Sequence, residues 1–315
     1  MPRQRKISYN YKTSESIEKK SIKPVIYFLL LFFTVFVVFN MRNTTTKASN
    51  VLPFNAVSDE PQTLSELSLA IRNRIAEEEG TYSIRFEDFG TKNAFGINDE
   101  PVVTAASVIK IPALAALYYL AEQRDIDLNE VITIPESDMQ RWGTGIIRYQ
   151  DAGATYTIRE LAQVMMEHSD NTAVYVLANR VIGLERLQEL IDSWGLSNTN
   201  YLENNISNKD MNKVMRMMYS GELVKDEELN VEMMGWMDDS DFEERLPKYI
   251  PEEVSVYHKI GNEVRITHDV GVIDLPEKPY YLGVLGIEIP DHEHATEVIA
   301  QISQMVFEYQ SRMNQ

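Results

Sequence analysis

The chain has 315 residues, 44% of them hydrophobic and 25% charged, a composition that excludes wholesale disorder and suits one large domain or two small ones. Cysteine is absent, which excludes disulfide staples, thiolate metal sites, a cysteine nucleophile and a lipidated lipoprotein cysteine. The formal charge of −18 is unevenly spread: residues 1–50 hold nine basic and two acidic side chains, so the remainder carries −25 and repels nucleic acid and anionic headgroups. So acidic a surface reads as a solubility feature rather than as a site for a cationic partner.

In chain order, residues 1–23 form a basic tail carrying Arg3, Arg5, Lys6, Lys12, Lys19, Lys20 and Lys23 against two acidic residues. Residues 24–41, "PVIYFLLLFFTVFVVFNM", are 18 without a charge, enough to span a bilayer as one helix. The positive-inside rule then keeps the N-terminus in the cytoplasm and places the rest of the chain outside the cell. No A-x-A-like cleavage site follows, so the segment is expected to be an uncleaved single-pass anchor in the cell membrane. Residues 42–61 are polar, with "NTTTKASN" and two prolines, and read as a linker. The remaining 62–315 is expected to be one folded domain.

Within that domain Thr63 and Glu66 form a capping box that starts a helix, and Gly80 is expected to stop it. "TYSIRFEDFG" alternates as a strand, and "NAFGINDE" supplies residues for the chain to turn back. Between about Val103 and Gly221 the spacing is helical, in "IPALAALYYLAEQ", "TIRELAQVMMEH", "NTAVYVLANRVI", "LERLQELIDSWG" and "NKDMNKVMRMMYSG". Strand patterns return in "VSVYHKI", "VRITHDVGVI" and "YYLGVLGIEI", before a last helix from about His292 to Met313. Strands at both ends with helices between predict one sheet assembled from distant segments, with an inserted helical lobe.

Three patterns carry chemistry. Ser107 and Lys110, in "AASVIKIP", are three apart and share a helix face. The run after them is apolar on every side, which predicts a buried central helix with Pro112 in its first turn. Ser107 then sits at a helix N-terminus, where negative charge is favoured. A buried lysine must find polar partners or lose its proton, and a neutral Lys110 can take the proton of the Ser107 hydroxyl. The competing reading is a capping serine and a snorkelling lysine, and Ser16 with Lys19 repeats the two-residue pattern in the tail. Ser169, Asp170 and Asn171, in "EHSDNTA", fall at a break between two helices, where they read either as a proton relay and carbonyl binder or as caps. Lys259 and Gly261, in "VYHKIGN", end a predicted strand, where a glycine admits a close backbone approach and a lysine supplies positive charge.

In this order the three resemble the S-x-x-K, S-D-N and K-T-G motifs of class A β-lactamases and penicillin-binding proteins. "GTGIIR", "TIRELAQVMMEHSDNTA", "ERLPKYIP" and "HDVGVI" are similar to stretches of the same penicillin-recognising serine hydrolases, and the resemblance covers roughly residues 62–315. It implies an α/β (α+β) class A β-lactamase-like fold, an antiparallel sheet flanked by helices plus an all-helical lobe, here preceded by the transmembrane helix. The resemblance also implies an active site in the cleft between the two parts. It further implies Ser107 as nucleophile, Lys110 as its base, Ser169 as proton donor to the leaving nitrogen, and Asn171 and Lys259 as substrate-binding residues. The backbone N–H groups of Ser107 and Asn262, beside Gly261, would form the oxyanion hole. No cofactor or metal is implied.

Two departures qualify the match. The E-x-x-L-N loop motif, whose glutamate activates the deacylating water, is reduced to Glu203 with Ile206 and Ser207 in a shortened loop. Ile260 stands where the third motif usually has a hydroxyl. The expected substrate is therefore either a β-lactam, hydrolysed slowly, or a D-alanyl or other acyl group of the cell wall; a cell-wall binding module without turnover is the alternative outside enzymology. Three features read as structural. Asp291 caps the last helix, so His292 and His294 in "DHEHATE" are not taken as metal ligands. Trp142 in "RWGTGIIR" belongs to the cleft rim, and the methionines of "DMNKVMRMM" pack in the core.

Overall fold

A computed structural model of the chain describes residues 60–238 and 240–312. The expected membrane segment at 24–41, the tail before it and most of the linker lie outside the described residues. Among the described residues no helix is long and apolar enough to cross a membrane.

Helix α1 (Leu64–Ile75) opens with the expected capping box. It stops short of Gly80: the run Glu77–Glu79 places like charges at the negative end of the helix dipole, and the chain leaves the helix at Ala76. Gly80 instead takes φ 91° to enter the sheet, where a Cβ would lie 2.8 Å from the Ile287 carbonyl oxygen. Strand β1 (Thr81–Asp88) turns back through 89–93 into β2 (Ala94–Ile97), so "NAFGINDE" is itself a strand rather than only its turn.

A short strand β3 (Val103–Thr104) and a 3₁₀ turn (Ala106–Ile109) run directly into α2 (Lys110–Glu122). The helical lobe follows, opened by the β4 (Val131–Thr133) and β5 (Thr155–Thr157) hairpin. It contains α3 (Ile158–Glu167), α4 (Asn171–Val176) with a π-helical extension over Leu177–Ile182, and α5 (Leu184–Ser193). Next, β6 (Asn205–Ile206) pairs with β3 and leads into α6 (Asn208–Tyr219). A helix that the sequence pattern did not reveal, α7 (Glu227–Gly235), is capped by Asp226; Glu232 on it accepts from Tyr118 Oη at 2.7 Å and from Arg159 Nε at 2.9 Å.

Strands β7 (Val256–Glu263), β8 (Ile266–Ile273) and β9 (Tyr280–Ile287) complete an antiparallel five-stranded sheet of order β2-β1-β9-β8-β7, before α8 (His292–Arg312). The two ends of the domain are thus sewn together by the β1–β9 pairing, Thr81 opposite Ile287. Alternation along β9 splits the core. Tyr280, Leu282 and Val284 pack with Leu67, Ile71, Val298 and Ile302 of α1 and α8. On the opposite face Tyr281 and Leu285 join the large cluster built around α2 and the helical lobe. Helix α2 is buried on all sides, Leu114 and Leu117 at 0% exposure, as its uninterrupted apolar run requires.

Candidate active site

The 3₁₀ turn holds Ser107 against the edge strand β7. Ala106 takes a left-handed conformation, φ 48°, and the Ala105 N–H donates to the Asn204 carbonyl at 2.7 Å. A side chain at Gly261 would place a Cβ 2.9 Å from the Ala105 carbonyl oxygen and 3.1 Å from Val108 Cγ2. Gly261 therefore admits the turn that carries Ser107, and it lies inside β7, not at its end.

Lys110 is the first residue of α2 and is 2% exposed. Its Nζ donates to Ser107 Oγ at 3.0 Å, Ser169 Oγ at 3.0 Å, the Ser169 carbonyl at 2.7 Å and Asn171 Oδ1 at 3.1 Å. The two motifs that are 59 residues apart in sequence thus meet on one nitrogen. Burial pushes the amine well below its usual range, Lys259 pushes it further, and Asp170 opposes them. An amine so shifted can accept a proton, and Ser107 Oγ is within reach to give it.

The residues of the S-D-N stretch divide by contact: Ser169 and Asn171 meet Lys110, and Asp170 faces the backbone. Asp170 is the cap: its carboxylate accepts from Ala173 N at 2.9 Å and, across to the neighbouring loop, from Ile147 N at 2.8 Å. Ser169, at φ 52°, turns toward Lys110, and Thr144 Oγ1 donates to its carbonyl at 2.8 Å. Gly143 lets the loop close on Asn171, whose Nδ2 would be 2.2 Å from a Cβ at that position. Trp142 on this loop is exposed.

Lys259 is 1% exposed, and its Nζ has no hydrogen-bond partner among the described residues. Burial moves it down to about 7; Asp269 pulls against that shift and Arg245 adds to it. Ile260 is also buried, opposite Asp269 in the β7–β8 ladder. Asn262, exposed at the end of β7, accepts through Oδ1 from Arg245 Nη2 at 2.6 Å, while Arg245 Nη1 donates to the His268 carbonyl at 2.6 Å. Behind the strand His258 Nδ1 and Asp269 Oδ1 are 2.9 Å apart, and Asp269 Oδ2 also accepts from Leu246 N at 3.0 Å. Burial opposes the charged imidazole, but the Asp269 and Glu243 carboxylates outweigh it and hold His258 at about 9.

Arg245, His258 and Asp269 were not singled out by sequence reasoning, and only their membership of the quoted segments pointed to them; Phe242, whose ring lies 5.6 Å from Lys259 Nζ, falls outside those segments. Glu203, the degenerate loop glutamate, is exposed and accepts from Asn205 Nδ2 at 3.3 Å. Among the described residues no carboxylate hydrogen-bonds Ser107 Oγ or Lys110 Nζ. His292 Nδ1 meets Thr267 Oγ1 at 2.7 Å and His294 pairs with Glu78, while Asp291 accepts from His294 N as a cap. No cluster of three or more metal-ligating side chains occurs among the described residues.

Comparison with known proteins bears on the family and the fold. The chain is 25% identical over 274 residues to a beta-lactamase of Bacteroides uniformis, covering 78% of this chain and 92% of that protein. It is 24% identical over 228 residues to the extended-spectrum beta-lactamase PER-1 of Pseudomonas aeruginosa, covering 65% and 74%. Among solved structures, a mutant of PBP-A captured as an acyl-enzyme with penicillin G superposes with a TM-score of 0.72 at 24% identity, covering 80% of this chain and 98% of that one. A beta-lactamase from Sphaerobacter thermophilus gives 0.73 at 21% identity, covering 81% and 99%. The model of the beta-lactamase enzyme family matches residues 66–310. The chain thus belongs to the beta-lactamase enzyme family, serine hydrolases with a class A β-lactamase-like fold.

Proposed function

We propose that the protein is a membrane-anchored serine acyl hydrolase, facing the outside of the cell, that forms an acyl-enzyme on Ser107 with β-lactams and releases it slowly. The observation that carries this reading is the buried Lys110 Nζ, within 3.0 Å of both the Ser107 and the Ser169 hydroxyls.

Ser107 Oγ attacks the amide carbonyl as Lys110 removes its proton. The developing oxyanion lies between the backbone N–H groups of Ser107 and Asn262. Collapse breaks the C–N bond, and the proton passes from Lys110 through Ser169 Oγ to the leaving nitrogen. Asn171 positions substrate and Lys110, and Lys259 attracts the substrate carboxylate. Water then hydrolyses the ester on Ser107.

That last step supports a second reading. Glu203 is turned to solvent and hydrogen-bonded to Asn205, which leaves it unsuited to activate the water, and among the described residues no carboxylate hydrogen-bonds Ser107 Oγ. A D-alanyl peptidase or esterase acting on cell-wall polymers would suit such a site. Parallel assays of penicillin loss and D-alanine release from an acyl-D-Ala-D-Ala peptide separate the two. Penicillin loss alone supports the first reading, D-alanine release alone the second, and neither activity with the intact chain contradicts both. The anchor is tested by fractionation of cells: the chain is expected in membranes, and recovery in the soluble fraction would contradict it.

A further inference from the structure

Lys259 differs from the other polar groups of the cleft in what covers it. Its Nζ is buried without a hydrogen-bond partner among the described residues, and the Phe242 ring centroid lies 5.6 Å away, within cation–π distance. Phe242 sits on the stretch 240–244, which crosses from the sheet to the helical lobe. There the Asp241 N–H donates to the Glu167 carbonyl at 3.1 Å, and Asp241 Oδ2 pairs with His168 Nδ1 at 2.7 Å. His168 adjoins Ser169, so the stretch is tied beside the catalytic hydroxyls at one point and packed on Lys259 at the next. The tie is weak by construction, since the Asp241 side chain is 58% exposed. A ring that stands over a buried amine without a hydrogen bond, on a stretch held by one backbone hydrogen bond and one exposed side-chain hydrogen bond, is a cover that can move.

We propose that Phe242 is a specificity-determining residue: its ring closes off the Lys259 amine, and a substrate carboxylate reaches Lys259 only when that ring is displaced. Substrates with a carboxylate would displace it and exchange the ring for an ion pair, whereas uncharged esters would acylate Ser107 with the cover in place. This rests on the assignment of Lys259 to the substrate carboxylate, and its test has a readout that does not.

In the full chain, reductive methylation with formaldehyde and a borohydride is followed at single lysines by peptide mass. Lys259 is expected to react at least about tenfold more slowly than the exposed Lys209, with Phe242→Ala accelerating it about fivefold or more and Phe242→Leu, which keeps the bulk, leaving it protected. Lys259 reacting as fast as Lys209 in the wild type, or no faster in Phe242→Ala, would overturn the proposal. In parallel, Phe242→Ala should raise the acylation rate constant with benzylpenicillin about fivefold and leave an uncharged phenyl ester within about twofold. Equal changes for both substrates would count against Phe242 as a selector. If penicillin acylates neither protein, the proposed function fails, and lysine reactivity alone decides whether the cover exists.

Discussion

Lys110 Nζ stands 3.0 Å from Ser107 Oγ in a site where the lysine is 2% exposed, so the amine hydrogen-bonded to the hydroxyl is one that burial drives toward neutrality. The proposed function makes that lysine the base that activates Ser107. Lys110→Ala is expected to lower the rate of Ser107 acylation by about 10²–10⁴-fold, the range for a lost general base. Thermal unfolding of the variant, unchanged or raised because a costly buried amine is gone, distinguishes this from misfolding. An acylation rate within a few-fold of wild type would remove Lys110 from the mechanism.

The Lys259 amine, held at about 7, sets a pH dependence that distinguishes substrates. Its charge is present below that value and lost above it. For a substrate with a carboxylate, kcat/KM should fall as pH rises through about 7, mainly through KM, while a neutral ester should not share that limb. Matching alkaline limbs for the two substrates would contradict the role of Lys259 in carboxylate binding.

The pair His258–Asp269 makes a stability prediction of definite sign. With a folded value of about 9 against an unfolded 6.5, His258 keeps its proton longer in the folded state. Its stabilisation is complete below pH 6.5 and is lost as pH rises through about 9, up to about 3 kcal/mol for a shift of this size. Lys259 works the other way, its folded value of about 7 lying below the unfolded 10.5, so its burial costs less as pH rises between them. Denaturant unfolding of wild type and His258→Asn between pH 6 and 10 separates the two contributions. The gap between the proteins should shrink with rising pH, and a constant gap would contradict the charged imidazole.

Asp170 is expected to matter for folding more than for chemistry. Its carboxylate caps α4 and holds the Ile147 N–H, so Asp170→Ala should cost about 2 kcal/mol, the upper end for a lost cap, read from the denaturation midpoint. Loss of acylation without loss of stability would assign it to the reaction instead.

The solvent-facing Glu203 gives a prediction of no effect. Glu203→Gln should leave the lifetime of a penicillin adduct within about twofold of wild type, since nothing holds that carboxylate near Ser107. A lifetime lengthened tenfold or more would place Glu203 in deacylation and overturn the account of slow release.

What the sequence disclosed followed from local rules. The capping boxes, the fully apolar α2 and the alternating strands each leave a mark within a dozen residues, and the ordered motifs supplied Ser107, Lys110, Ser169 and Lys259. What it concealed depends on distant partners. Helix α7 has too irregular an apolar spacing to declare itself and is held by Tyr118 and Arg159, far upstream. The requirement for glycine at 261 comes from Ala105 and Val108, which a Cβ there would meet and which lie more than 150 residues upstream. Phe242 and Arg245 belong to an acidic loop that reads as solvated surface until Lys259 and Asn262 are set against it. The short strand pairs β3–β6 and β4–β5 are fixed by register between remote segments, which no single window of sequence contains.

The central claim is that Ser107 is an acylated nucleophile whose ester is poorly hydrolysed. Intact-mass measurement of the full chain with benzylpenicillin, followed over time beside Ser107→Ala, tests it most directly. The account predicts a lasting gain of one penicilloyl mass in the wild type, located on the peptide containing Ser107, and none in the variant. An adduct that persists in Ser107→Ala, or its absence from the wild type with penicillin left intact, would contradict it.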